Sequence, residues 1–292
     1  MTAADDAAAP QRPEAGFDTG PTLPGVTLVA VLRSELAKLG ALRTTWWLAG
    51  GTLVIGIFIA AMFAVTIEYF NVPQEVQQLE TAALASQSMT GIYFAMILLG
   101  ALGVLAITTE FTTGSIRSAL TAVPQRGTLI ASKLLALIVW VGTVTAAMIL
   151  AAHLVAAAIS AQLNLGAIVT DAEVATTYLS SWAAVVLTAL MGFGLGALLR
   201  SSAGGIVTLT VILFVVQIAV SLAWGLSDGA AWADALMRAE YMFLVSEFTA
   251  QSDAQAPFGP EGLQRWQAGL GLLLWAGVPV ILGWVSFLRR DA

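Results

Sequence analysis

Long uncharged apolar runs alternate along the chain with segments that carry all of its charged side chains. Each run is long enough to cross a bilayer as a helix, which takes about 20 residues. A helix satisfies its backbone hydrogen bonds within its own segment, as the interior of a bilayer requires. The pattern therefore predicts an all-α membrane protein with six transmembrane helices. The predicted spans are Trp46–Ile67, Met89–Thr109, Leu134–Ile159, Ser180–Leu199, Ala203–Gly225 and Gly269–Leu288.

The segment before the first span has an amphipathic pattern. When residues 26–45 are drawn as a helix, they form a leucine-rich face and a polar face, which predicts a helix lying in the membrane interface. The leucines are Leu28, Leu32, Leu36, Leu39 and Leu42, and the opposite face holds Arg33, Ser34 and Lys38. Glu35 falls inside the leucine face, where a lone carboxylate is costly. We therefore expect Glu35 to have a cationic partner, and the loop between spans two and three is one candidate source.

The chain divides into three parts by composition. Residues 1–25 are rich in Ala and Pro and carry several acidic residues, without a basic stretch followed by an apolar core. This pattern differs from a signal peptide and is typical of a disordered tail. The interfacial helix at 26–45 and a six-span domain at 46–290 follow.

Overall composition excludes a soluble domain. Apolar residues make up 58% of the chain and charged residues 10%, whereas soluble domains carry about 25% charged residues. The sequence contains no cysteine, which excludes disulfides and thiolate metal sites. No metal-ligand cluster, catalytic triad or nucleic-acid module is visible in the sequence. The expected partners are therefore lipid and other proteins, with no nucleic acid.

The basic residues predict the orientation of the chain. With six spans, ten of the twelve Lys and Arg residues fall on one side of the membrane, and Arg238 and Arg265 fall on the other side with eleven acidic residues. Loops rich in Lys and Arg stay in the cytoplasm. Both termini are therefore predicted to be cytoplasmic. The ten residues on that side are Arg12, Arg33, Lys38, Arg43, Arg117, Arg126, Lys133, Arg200, Arg289 and Arg290.

The predicted cytoplasmic loop between spans two and three has its own helical pattern. It reads "EFTTGSIRSALTAVP" from Glu110 to Pro124. Gly114 permits a bend at its start and Pro124 favours its end. As a helix, it places Ile116 and Leu120 on one face and Arg117 on the other. The pattern fits a lever that receives force from a soluble partner, but it also fits a solvated loop.

These residues also carry a family resemblance. The pattern Glu110-Phe111-x-x-Gly114-Ser115-Ile116-Arg117, followed by Pro124-x-Arg126 and Ala131–Leu134, resembles the segment after span two in ABC type-2 exporter permeases. That class includes drug-resistance, sodium-export and lantibiotic-immunity permeases. "RSELAKL" and "RTTWW", at 33–39 and 43–47, resemble the interfacial helix and the entry to span one in actinobacterial members. The resemblance extends over about residues 26–290.

The resemblance implies a transport function powered by another protein. Two permease chains, identical or different, would pair with two cytoplasmic ATPase subunits and export a drug, peptide or lipid across a bacterial plasma membrane. ATP and Mg would bind to the partner, since this chain has no G-x-x-x-x-G-K-[ST] sequence. The loop would be the coupling helix that docks into the ATPase. Its expected contact residues are Glu110, Thr113, Gly114, Ser115, Ile116, Arg117, Leu120 and Arg126.

Several other residues are assigned provisional roles. Gly51, Gly56 and Ala60 in span one, together with span five, are expected to pack against the second permease chain, because small residues let helices approach closely.

Glu110 is expected either to pair with Lys133 or Arg33 or to cap the following helix. Arg126 and Lys133 are interpreted as membrane anchors rather than specific contacts. His153 and Gln217 are possible polar residues of a transport cavity, although a neutral structural role for His153 is the alternative.

Two other function classes stay open from the sequence. One is a secondary transporter or channel that needs no ATPase, and the other is a non-transporting scaffold or regulatory subunit. The absence of an acidic residue from every predicted span counts against a proton-coupled transporter. The loop at 226–268 is predicted to be helical, either dipping into the outer leaflet, as the resemblance suggests, or capping the bundle.

Overall fold

The computed structural model describes residues 27–69, 85, 88–115, 126–159, 166–250 and 260–289. Within these ranges the chain is helical and contains no strand. Six helices are long and apolar enough to cross a membrane, as the hydrophobic pattern predicts. The predicted tail at 1–25 and the centre of the predicted coupling helix lie outside the described residues.

The interfacial helix, Leu28–Ala41, leads directly into span one. The six spans alternate in direction. We call the end that carries the interfacial helix the basic end, and the opposite end the acidic end. Span one is Arg43–Tyr69, span two is Ile92–Thr113 after a short 3-10 turn at Met89–Gly91, span three is Arg126–Ile159, span four is Ala172–Leu199, and span six is Arg265–Arg289.

Span five is not a continuous α-helix. It consists of Ser202–Thr210, a π-helical segment at Val211–Val216, and Gln217–Leu226. A π-helical turn takes in one more residue than an α-helical turn and is often found at functional sites. Span five is also the least packed of the six. Only 17% of its most apolar stretch is buried inside the chain, compared with 67% for span four.

Spans three and four begin earlier than their apolar runs indicate. Span three begins at Arg126 rather than Leu134, and its added turns include the buried Lys133. This charge does not end the helix because carboxylates within the protein neutralise it. Span four begins at Ala172 rather than Ser180, where the Asp171 side chain accepts hydrogen bonds from the Glu173 and Val174 amides. Such a cap stabilises a helix start.

Span four is the central helix of the bundle, and glycines let span two approach it closely. A Cβ atom on Gly103 would overlap the carbonyl oxygen of Ala189, and one on Gly192 would overlap that of Gly100. At Gly196, the added atom would lie 2.9 Å from the Val104 oxygen. Spans two and four therefore pack backbone against backbone, the arrangement that small residues permit in membranes.

Gly192→Val is expected to destabilise the bundle strongly. Its side chain would meet the backbone of span two, which cannot move aside as a flexible side chain can. Overpacking of this kind costs about 1–3 kcal/mol or more. Thermal unfolding in detergent should show a clear fall in Tm. Gly277→Val in span six is the matched control, since nothing lies within 4 Å of its added Cβ. Equal Tm values for the two variants would contradict this packing.

Two helices between spans five and six form a hairpin. The descending helix is Ala231–Ala239 and the ascending helix is Tyr241–Thr249, with Glu240 between them. The predicted helical pattern through this region is thus interrupted at Glu240. The side chain of Leu244 packs against Gly271, and that of Phe248 packs against Gly269. The ascending helix therefore runs antiparallel to span six.

The turn of the hairpin lies deep beside span six. The Tyr241 and Trp275 rings meet edge to face, with centroids 6.0 Å apart, and the Trp275 indole donates to the Ala239 carbonyl at 2.9 Å. Trp275 is ten residues from Arg265, the first residue of span six. That spacing places the turn about 15 Å from the acidic end of span six. The hairpin turn therefore lies beside the middle of span six rather than at its end.

The face of the interfacial helix that meets the bundle shares only Leu39 with the leucines of the leucine face. Val31, Glu35 and Leu39 are buried against the protein, whereas Leu28 and Leu42 are each 44% exposed. The buried face is rotated from the centre of the leucine face towards Glu35. Ion pairing of Glu35 inside the protein accounts for this rotation.

Candidate functional site

Four charged side chains meet at the basic end of the bundle. We call Glu35, Lys38, Glu110 and Lys133 the charge cluster. The Lys133 ammonium lies 2.7 Å from Glu35 Oε2 and also donates to Glu110 Oε1. The Lys38 ammonium lies 2.6 Å from Glu35 Oε1 and 3.3 Å from Glu110 Oε1. The cluster thus joins the interfacial helix, the end of span two and the start of span three.

The members of the cluster differ in their exposure. Side-chain exposure is 3% for Lys133 and 6% for Glu35, but 48% for Lys38. Burial alone would lower the pKa of Lys38, but its hydrogen bond to Glu35 and the charges of Glu110 and Glu35 raise this pKa above its usual value. A buried ion pair adds little net stability over an apolar packing, but removing one partner leaves an uncompensated charge. The cluster is therefore best suited to holding three helix ends in one arrangement.

The structure identifies the ion-pair partners of Glu35, Glu110 and Lys133. Glu35 has cationic partners, as expected, but they are Lys38 on its own helix and Lys133 in span three. Glu110 pairs with Lys133 and Lys38. The interpretation of Lys133 as a membrane anchor was wrong. Glu35 and Glu110 lie elsewhere in the sequence, and their carboxylates stabilise the ammonium of Lys133 in a buried position.

Span two ends where the predicted coupling segment begins. Gly114 adopts a left-handed conformation, with φ of 70°, and its amide donates to the Phe111 carbonyl. This conformation favours glycine, in agreement with the predicted bend. The Thr113 and Ser115 hydroxyls are 3.0 Å apart just after it. Ile116, Arg117 and Leu120 lie outside the described residues, as does the side chain of Arg126, so their docking role stays a prediction.

Three further contacts connect the end of span two with its neighbours. The Arg200 guanidinium, in the turn between spans four and five, stacks over the Phe111 ring at 5.1 Å. The Phe111 and Phe287 rings lie 6.4 Å apart, which links span two to span six. The Thr108 and Ser202 hydroxyls form a hydrogen bond of 2.7 Å. Sequence analysis missed these contacts because they join residues far apart in the chain.

Gly56 and Ala60 of span one face the interior of the chain. A Cβ atom on Gly56 would lie 2.5 Å from Met148 Cγ in span three, and Gly91 packs directly on the Gly56 backbone. Ala60 is completely buried. Gly51 is half-buried, and its added Cβ would lie 3.5 Å from Leu98. Small residues here serve packing within the chain, so Gly56 and Ala60 do not suit a contact with a second chain.

The two candidate cavity residues occupy different surroundings. His153 is completely buried, and its Nδ1 atom lies 2.8 Å from the Tyr178 hydroxyl, between spans three and four. This setting favours the structural alternative for the only histidine. Gln217 is exposed on span five, immediately after the π-helical segment. Its place in a transport cavity stays a prediction.

The hairpin turn contains polar groups that the predicted spans did not include. The Glu240 carboxylate is buried and accepts hydrogen bonds from the Met242 amide at 2.8 Å and the Phe243 amide at 2.6 Å. The Tyr241 hydroxyl lies 2.7 Å from that of Thr188, in the interior of span four. The sequence signal was an acidic residue immediately before an apolar run, which is typical of a helix start. A buried acidic residue therefore lies beside the middle of span six, although outside the predicted spans.

Comparison with known proteins identifies the family. The chain matches the sequence model of a protein family described as ABC-2 family transporter protein over residues 29–292. This range contains all six spans, the charge cluster and the interfacial helix from its second residue onward. No curated protein matches the chain. The family match favours the ABC permease interpretation over a secondary transporter and over a non-transporting scaffold. The chain belongs to the ABC-2 transporter family and is the membrane-spanning permease subunit of an ABC system, which works with a separate ABC ATPase subunit.

Proposed function

We propose that this permease exports hydrophobic or amphipathic molecules, and that the charge cluster carries the force of ATP hydrolysis into the bundle. The observation that supports this proposal most directly is the position of the cluster. Glu110 is the first residue of the predicted coupling segment and Lys133 follows that segment, and the two side chains form an ion pair. Both ends of the coupling segment are therefore connected to each other and, through Glu35, to the interfacial helix.

In this mechanism the ATPase moves the coupling helix, and the charge cluster makes three helix ends respond together. A push on the segment after Glu110 is shared by the end of span two, the start of span three and the interfacial helix. The Arg200–Phe111 and Phe111–Phe287 contacts then extend the movement to the turn between spans four and five and to span six. A switch between inward-facing and outward-facing arrangements follows from this concerted movement.

The proposed working unit contains two permease chains, identical or homologous, and two ATPase subunits. We place the contact between permease chains on span five and on the exposed face of span one, rather than on Gly56 and Ala60. Val54 and Phe58 in span one are more than 60% exposed, and span five is the least buried span. ATP and Mg bind in the ATPase subunits. The basic end faces the cytoplasm of a bacterial cell, in accordance with the distribution of Lys and Arg.

Arg117→Glu is expected to weaken ATPase binding strongly while insertion and dimerisation persist. If Arg117 contacts an acidic residue of the ATPase, the substitution brings like charges together, at a cost of up to several kcal/mol. A loss of about 3 kcal/mol weakens binding roughly a hundredfold. Leu120→Asp should have the same effect, because it would place a carboxylate in an apolar groove. The measurement is co-purification with the cognate ATPase, followed by ATPase activity of the complex.

The matched control adds a negative charge to the other turn at the basic end. Ser201 is exposed, and its hydroxyl accepts a hydrogen bond from the Gly204 amide at 3.1 Å. Ser201→Asp keeps such an acceptor but lies on a turn too short to reach deep into a partner. It should bind the ATPase as the wild type does. Normal binding by both loop variants would remove the coupling-helix assignment.

A further inference from the structure

Arg238 occupies an unusual position for a basic residue. It lies in the last turn of the descending helix of the hairpin, two residues before Glu240. The adjacent Ala239 carbonyl is bonded to Trp275, whose depth along span six is about 15 Å by helical rise. Arg238 therefore lies well below the acidic end of the bundle. A guanidinium at this depth is costly unless anions or hydrogen-bond acceptors surround it.

The two nearest carboxylates along the chain are bonded to neutral donors. Both oxygens of Glu240 accept backbone amides of the ascending helix. Asp234, one turn before Arg238, accepts the Trp224 indole N–H at 2.6 Å. Among the described residues, the ion pairs all belong to the charge cluster at the other end of the bundle. The positive charge of Arg238 is thus not paired within the described part of the chain.

The guanidinium is also short of acceptors. Its Nε atom is buried and has no hydrogen-bond partner among the described residues, while the side chain as a whole is half-buried. The end of the descending helix contributes a favourable dipole for a cation, but this effect is modest. A planar guanidinium with several N–H donors is best satisfied by two oxygens of one anionic group. Phosphate, sulfate and carboxylate groups all have this geometry.

We propose that Arg238 binds the anionic group of an amphipathic molecule whose apolar tail stays in the membrane. The surrounding surface fits such a molecule, since Trp232 and Leu236 on the same helix are exposed. The descending helix also packs beside span five, which we place at the contact between permease chains. The identification of this molecule as cargo rests on the proposed export function. The binding itself does not require an ATPase.

Equilibrium binding of radiolabelled dodecyl phosphate to the full chain in phosphatidylcholine nanodiscs tests the proposal. Empty nanodiscs give the background. The wild type should bind dodecyl phosphate at least tenfold more tightly than uncharged dodecyl maltoside. Arg238→Gln should remove this preference, and Arg238→Lys should retain part of it. Arg265→Gln, at the other basic residue of the acidic end, should leave the preference unchanged. Because the preference is measured first on the wild type, the proposal can be overturned even if a variant folds poorly.

Two further arms identify the source of the anion. Inorganic phosphate should not compete at millimolar concentration if the molecule enters from the membrane, and effective competition by it would overturn the amphipathic assignment. Phosphatidylglycerol added to the nanodisc should compete if a bilayer lipid satisfies Arg238, and should not if the site selects single-chain amphiphiles. Either result supports an anion site. Equal binding of dodecyl phosphate and dodecyl maltoside by the wild type overturns the proposal. A preference for dodecyl phosphate that appears in Asp234→Asn but not in the wild type also overturns it. These outcomes are independent of the Arg117 and Leu120 variants, which test the export function.

Discussion

Lys133→Met is expected to cause the largest loss of stability of any substitution at the basic end. The change would leave the carboxylates of Glu35 and Glu110 buried, with only the half-exposed Lys38 as counter-charge. Removal of one partner from a buried ion pair typically costs about 3–5 kcal/mol. Thermal unfolding of the purified permease should show a large fall in Tm. Any variant that still folds should bind the ATPase weakly, because the ends of the coupling segment are no longer joined.

Lys38→Met is the comparison that isolates the effect of lysine burial on stability. Lys38 contacts the same two carboxylates, but its side chain is 48% exposed, and solvent-screened ion pairs contribute about 0–1 kcal/mol. Its Tm should stay near that of the wild type. Adding Glu110→Gln to Lys133→Met removes one of the stranded charges and should recover part of the lost stability. Equal losses for the two lysine variants would show that the charge cluster does not depend on the buried ammonium.

Glu240→Ala is expected to release the hairpin from the bundle. The substitution removes the acceptors for the Met242 and Phe243 amides at the start of the ascending helix. Loss of a helix cap costs about 0.5–2 kcal/mol in water, and unsatisfied backbone groups cost several kcal/mol in lipid. The ascending helix should lose protection in amide hydrogen exchange, and the permease should unfold at a lower temperature.

Asp171→Ala is the matched control, because it removes the same type of cap from the start of span four. That cap lies at the acidic end of a long span and is partly exposed, so water can replace the lost acceptor. The expected cost stays near the lower part of the range for caps. Greater destabilisation by Asp171→Ala than by Glu240→Ala would contradict the placement of the hairpin turn at membrane depth.

The six spans were predictable because each depends on a property of one continuous segment. A run of about 20 apolar residues determines a transmembrane helix without reference to the rest of the chain. The charge cluster was only partly predictable. The position of Glu35 indicated a need for a cation, but the identity of that cation depends on how Lys133, 98 residues later, packs against it.

The glycines of span one also show that the sequence does not reveal which distant segment packs against a residue. Spacing indicates that Gly56 and Ala60 allow close approach of a helix, but it does not indicate which helix approaches. In the structure, span three and the turn before span two occupy that side. Likewise, Glu240 ends one helix and begins another, so the prediction that the loop at 226–268 is helical could not reveal the hairpin.

The π-helical segment of span five affects how related sequences must be aligned. A turn that contains one additional residue rotates everything beyond it by about 100° relative to a regular helix. Residues 202–210 and 217–226 therefore do not share one continuous face at the usual spacing. A relative that lacks the additional residue would need a one-residue gap inside this membrane span. If the gap were omitted, exposed positions of one protein would be paired with buried positions of the other throughout residues 217–226.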